Sequence, residues 1–234
     1  MKREGHPSIE GTSSLALVTV LCTILCLVVV PALGFARVRL GVEAGVNLST
    51  LRYDDELPPW DPGWQASFAG GTNFEIPLVD RFSLMTGPRY VRQGNRVKYD
   101  TGPGSVRQVG EFRVVQDYVS LPILLAFRPL PSRRFFVSLG PEIAYLLSGR
   151  LVVEETLFTG GVPEERSEYA DIEDDLKKTN LSLDFGGGLE FSLEKHIGVL
   201  QLRYTHGVSG VAEKDRWFSD WKTRGIEGLL GVRW

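Results

Sequence analysis

Few residues of this 234-residue chain could do chemistry, and their spacing is the first test of each. The histidines are His6, His196 and His206. A hydrolytic His–Ser pair on one strand needs both side chains on the same face, hence two residues apart. In "RYTHGVSG", Ser209 follows His206 by three, so a regular strand turns the two to opposite faces. No catalytic residue is expected. The run "PEERSEYADIEDD" could gather cations, but it lacks the alternating oxygen spacing and central glycine of a calcium loop. It reads as a solvated acidic surface segment, and no metal is expected. "FGGGLEF" lies inside an alternating stretch and precedes no helix, whereas a phosphate cradle needs both turn and helix. Its glycines read as close packing or a bend in a strand, and no cofactor is expected.

The N-terminal segment "MKREGHPSIEGTSSLALVTVLCTILCLVVVPALGFA" has the layout of an export signal. Lys2 and Arg3 precede an apolar stretch from Leu15 to Val30, Pro31 breaks it, and Gly34-Phe35-Ala36 supplies the small residues of a cleavage site. The alternative, a retained membrane helix, needs about 18–20 apolar residues. Residues 1–36 are therefore read as a signal peptide and 37–234 as one domain. Both cysteines, Cys22 and Cys26, fall in the signal, so the exported chain has no thiol for a disulfide or a metal site. With 26 basic and 29 acidic residues the net charge is −3, which excludes the basic footprint of a nucleic-acid binder.

Beyond residue 36 the chain reads at period two. Val38, Leu40, Val42, Ala44, Val46 and Leu48 share one face, and Arg39, Glu43 and Asn47 the other. Seven further stretches repeat the pattern, among them Val119 to Phe127, Phe135 to Leu147 and Leu181 to Leu193. Their connections alternate long and short: "RYDDELPPWDPG", "PLVDR", "QGNRVKYDTGPGSVRQVGE", "RPLPSRR", "GRLVVEETLFTGGVPEERSEYADIEDDLKK", "EKHIG", "GVAEKDRWFSDWK". A sandwich with both ends in water has no reason to do this. A barrel with short periplasmic turns and long extracellular loops does. The expected fold is all-β: an eight-stranded antiparallel up-and-down transmembrane β-barrel.

The polar face would carry Arg39, Glu43, Glu75, Arg89, Glu142, Asp184, Glu190, Arg203, Glu227 and Arg233. Sealed inside a narrow barrel they can pair, whereas each would cost several kcal/mol (about 2–4) in hydrocarbon. The inverted arrangement, apolar inside and charged outside, is that of soluble eight-stranded barrels. The charge-free face ends in aromatics at many strand ends, which favours lipid outward. Trp234 then sits in the periplasmic aromatic belt, and its terminal position resembles the signal read by outer-membrane insertion machinery. Trp60, Trp217 and Trp221 fall in or beside extracellular links, as contact residues for a partner or as anchors at the outer boundary.

"LGVEAGVNLSTL", "GPRYVRQG", "YVSLPILLAF", "GPEIAYLLSG", "LDFGGGLEF", "LRYTHGVSGV" and the terminal "LLGVRW" together resemble the PorT-type outer-membrane β-barrel domain. The resemblance spans residues 37 to 234 and implies a small eight-stranded barrel without one shared activity. One branch of that family is tied to a secretion system, and no motif places this chain in it.

The expected role is a non-enzymatic outer-membrane protein with a filled interior, acting through its extracellular loops on an outside partner. A narrow channel or an accessory of a secretion or uptake complex is the second class. A lipid-modifying enzyme is the third, with His206 its only candidate. The partners expected are outer-membrane lipids, the insertion machinery and an extracellular or secretion-complex protein.

Overall fold

The computed structural model describes residues 38–52, 63–102, 106–130, 134–159, 162–212 and 221–234. The expected signal peptide, Trp60 and Trp217 lie outside them. Ten strands form one sheet: β1 (Arg39–Arg52), β2 (Gln65–Val79), β3 (Phe82–Thr86), β4 (Arg89–Asp100), β5 (Val106–Phe127), β6 (Phe135–Thr159), β7 (Val162–Asp171), β8 (Thr179–Leu193), β9 (His196–Gly207) and β10 (Lys222–Arg233).

These ten segments build eight staves. β3 and β4 are two halves of one stave, both paired to β2 and β5. Gly87 and Pro88 interrupt it. Gly87 adopts φ +148°, and a side chain there would meet the Thr72 carbonyl at 2.3 Å, so only glycine fits. β7 and β8 both pair with β6 and form the second broken stave, separated by a 3-10 turn at Glu173–Asp175.

The sheet closes on itself. β10 pairs with β1 from Gly41↔Arg233 to Arg52↔Lys222. Beyond that register the Trp234 amide donates to the Leu40 carbonyl at 2.9 Å, and the Leu40 amide donates to the Trp234 carbonyl at 3.3 Å. A closed sheet has no edge in the bilayer, so its main-chain groups pair within the wall.

Alternation decides what each face meets. Leu40, Val42, Val46 and Leu48 point outward and are exposed, while Glu43 and Asn47 between them are buried. The same holds in β6, where Leu139, Ile143, Tyr145 and Leu147 are exposed and Ser138, Glu142 and Ala144 buried. Apolar residues clothe the barrel and polar ones fill it, the arrangement that hydrocarbon outside demands. Phe82 and Phe127 stack at 4.9 Å near the periplasmic rim, and Trp234 is 57% exposed there.

One expectation is corrected. The stretches read as long loops, "QGNRVKYDTGPGSVRQVGE" and "GRLVVEETLFTGGVPEERSEYADIEDD", are largely strand. β4 pairs with β5 up to Asp100↔Val109, β5 with β6 up to Val106↔Thr159, and β6 with β7 from Arg150↔Asp171 to Thr159↔Val162. A four-stranded sheet therefore stands above the membrane, on the order of 35 Å along its strands at about 3.3 Å per residue. Asn95, Val97 and Val114 near its base are buried, but beyond them toward the tip the described residues are at least partly exposed on both faces, so they need not alternate and leave no period to read. It departs from the barrel at a β-bulge between Asp117 and Tyr118.

Candidate functional site

The interior is built in layers. Near the periplasmic end, Arg128 donates to Glu75 at 2.6 Å, to Glu190 at 2.7 Å and to Ser83 at 2.8 Å. Arg233 reaches the same two carboxylates at 2.7 and 2.9 Å. Both guanidiniums lie over the Phe136 ring, 5.8 and 5.7 Å from its centre. Arg39 joins from the rim at 3.7 Å from Glu75, its side chain 41% exposed. An open recess of about 240 Å³, lined in part by Arg39, Arg81, Arg128 and Arg134, forms the periplasmic mouth.

Higher in the wall, Arg89 donates to Glu227 at 2.5 Å and lies 3.9 Å from Glu142. Arg203 stands 3.4 Å from Glu43 and 3.9 Å from both Asp184 and Glu227. Asn73 donates to the second oxygen of Glu43 at 2.9 Å. Of the ten residues expected in the interior, Glu43, Glu75, Arg89, Glu142, Asp184, Arg203, Glu227 and Arg233 are buried, Glu75 and Arg233 paired in the periplasmic layer and the other six linked in the layer above it. Glu190 is partly buried and Arg39 sits at the mouth.

Sequence reading missed three parts of this core. Arg128 lies in "RPLPSRR", which reads as a turn, although it continues the inward parity of the buried Leu124 and Ala126. It supplies a further cation to a set otherwise richer in acids. Met85, Leu124, Ala126, Phe136 and Val199 form an apolar plug inside the barrel. Gln93, Asn95, Gln116 and Gln201 fill it further and are fully or nearly buried. The "GGG" run has its explanation here: a side chain at Gly188 would meet the Phe136 ring at 2.5 Å, so the glycine makes room for that ring.

The extracellular sheet carries its own charge ladder. Arg96 meets Glu111 at 2.9 Å, Glu111 meets Arg113 at 3.4 Å, and Arg113 meets Glu154 at 2.5 Å. Tyr99 donates to Glu155 at 2.9 Å. At the outer rim Asp117 accepts from Arg92 at 2.7 Å, Ser148 at 3.0 Å and Arg150 at 3.1 Å. At the β4–β5 tip, Arg107 donates to both Asp100 oxygens at 3.0 and 2.5 Å.

That tip yields a pH prediction. The Arg107 hydrogen bonds, and then the Gly102 amide, hold the Asp100 carboxyl down to about 2. A depressed carboxylate stabilises the tip fully above the ordinary range and ceases to as pH falls through about 2. The pair is exposed, so salt weakens it. In an NMR titration of the full chain, Arg107→Ala is expected to return the Asp100 midpoint toward 3.8. An unchanged midpoint would contradict the bond.

The remaining candidates resolve simply. His206 lies on the outward face of β9, its ring 6.4 Å from that of Tyr204. Ser209 donates to the Asn180 side-chain oxygen at 2.7 Å and accepts from the Leu181 amide at 2.9 Å, so its hydroxyl ties the loop after β9 to the start of β8. Trp221 packs beside Leu51, Val114 and Val211 under the extracellular end, and its carbonyl accepts from the Val211 amide. Among the described residues no group of three or more His, Cys, Asp or Glu is placed to hold a metal ion.

The family model for the outer membrane protein beta-barrel domain matches residues 31–213. No curated protein matches the chain at a significant level. Among solved structures, the chain is similar to Ail, the attachment invasion locus protein of Yersinia pestis, at 14% identity and a TM-score of 0.37, covering 84% of this chain and 99% of that one. It is similar to Neisserial surface protein A at 11% identity and TM-score 0.38, covering 83% and 97%. OprG from Pseudomonas aeruginosa gives 12% identity and TM-score 0.38, covering 84% and 95%. With most of its length matched by the family model and its apolar side turned outward around a charged interior, the chain belongs to the outer membrane protein β-barrel domain family and resides in the cell outer membrane.

Proposed function

We propose that this is a non-enzymatic, PorT-type interaction protein of the outer membrane whose extracellular sheet engages a partner outside the cell. Residues 1–36 are then a cleaved export signal, and Trp234 is an aromatic that the insertion machinery reads. The observation that carries the reading is the division of the molecule in two. Below the bulge at Asp117 the barrel is filled by ion pairs and an apolar plug. Above it, β4 to β7 extend a charged sheet into water, far more than closing the staves requires. A plugged interior offers no route for solute, and among the described residues no serine is placed with His206 for hydrolysis.

The test is electrical. The purified barrel, shown folded by heat-modifiable gel mobility, is expected to give no steady conductance in planar bilayers. Reproducible channels from wild-type protein would favour transport, alone or as part of a secretion or uptake complex. His206→Ala is expected to leave lipid A unchanged; an altered lipid A profile would revive the enzyme reading.

A further inference from the structure

Among the described residues, β7 is the end of the sheet, hydrogen-bonded to β6 and to no other strand. Residues 163–171 are exposed throughout, and Tyr169 is 74% exposed. The register tells which amides are spent. The Ile172 amide donates to the Gly149 carbonyl at 3.0 Å, and the β6–β7 pairing continues without a shift. In an antiparallel ladder, alternate residues then aim their main-chain groups at the partner strand. Glu164, Arg166, Glu168 and Ala170 bond to β6, so Glu165, Ser167, Tyr169 and Asp171 direct their amides and carbonyls away from it. Pro163, which has no amide, ends the row.

An open row of donors and acceptors is a template for another strand. Natural edges are commonly blunted by proline and charge against self-association, and this one carries both. Its charge is one-sided: Glu164, Glu165, Glu168 and Asp171 against Arg166. A second copy paired here would set acid against acid, and like charges across strands repel. A strand bearing lysine or arginine meets the opposite situation, since the same side chains then attract it. Resting on the reading that the extracellular sheet is the contact element, we propose that the outer edge of β7 from Glu165 to Asp171 accepts an extended, basic polypeptide segment as an added strand.

The probe is a synthetic peptide alternating lysine with threonine, offered to the full-length barrel in lipid nanodiscs, with a glutamate–threonine peptide as control. Amide hydrogen exchange is the readout. The lysine peptide is expected to slow exchange at Glu165, Ser167, Tyr169 and Asp171 on the order of tenfold or more. Arg166 and Glu168, already bonded to β6, should not change, and added salt should reverse the protection. Ser167→Pro removes an outward amide only, so it should abolish the effect while Arg166 and Glu168 stay protected. If that variant loses the hairpin, reversing Glu164, Glu165, Glu168 and Asp171 to lysine supplies the second test, and preference should switch to the glutamate peptide. The proposal is overturned if the four amides are already protected in the free barrel, if both peptides protect equally, or if neither does. Protection confined to the β4–β5 tip would also overturn it, yet would leave the interaction reading of the whole sheet standing.

Discussion

Replacing Arg203 by leucine is expected to lower the unfolding free energy by about 3–5 kcal/mol, the range for removing one partner of a buried ionic group. Arg203 is 1% exposed in its side chain and lies within 3.4–3.9 Å of Glu43, Asp184 and Glu227. Leucine restores much of the volume, so the loss isolates the charge. It would leave those carboxylates with Arg89 as the cation nearest them in the layer. Urea titration in lipid vesicles, followed by the shift between folded and heat-denatured gel mobility, measures the difference. Glu227→Gln in the Arg203→Leu background should recover part of it, because the two changes remove opposite charges from one network. A loss below about 0.5 kcal/mol, the scatter of neutral surface changes, would mean that the interior is wet and screened.

The second large effect is a single methyl group. A Cβ at Gly45 would lie 1.9 Å from the Gly228 carbonyl oxygen and 2.9 Å from the Leu229 Cα, across the seam where β1 meets β10. Both obstacles are main chain, so no rotamer relieves them. Gly45→Ala is expected to cost about 3 kcal/mol or more, at or beyond the upper end of overpacking, because the clash opens the closing ladder. Gly228 is the built-in control. A Cβ there meets nothing within 4 Å, so Gly228→Ala should change stability by less than about 1 kcal/mol. Equal unfolding midpoints for the two variants would show that the wall does not approach itself so closely at this point.

Much of the architecture was legible because a bilayer imposes one rule on every stave. Outward positions must be apolar, inward positions must be polar or small, and strands have a strict period of two. Leu40 to Leu48 show the rule without interruption, Phe135 to Leu147 break it only where Phe136 and Leu146 turn inward, and eight of the ten charges placed on the polar face are buried. Arg128 escaped because the proline and serine turn signals of "RPLPSRR" masked its parity with Ala126. The extracellular sheet escaped for the opposite reason. From Val152 to Thr159 the side chains are at least partly exposed, and from Pro163 to Asp171 exposed throughout, so nothing compels alternation and the acidic run reads as loop. Its strand character comes from the neighbours it pairs with.

What the sequence determined by itself, then, is the dry side of the wall, the count of staves and the identity of most charges enclosed. Those follow from a period and a transfer free energy, both local properties of the chain. Only the tertiary structure decided which acid meets which arginine, that Gly45 is pressed against β10, and that β7 ends the sheet with one edge open. Each of these joins residues far apart in the chain, such as Arg89 with Glu227 or Glu75 with Arg233. Closure of the barrel, which no local pattern encodes, brings them together.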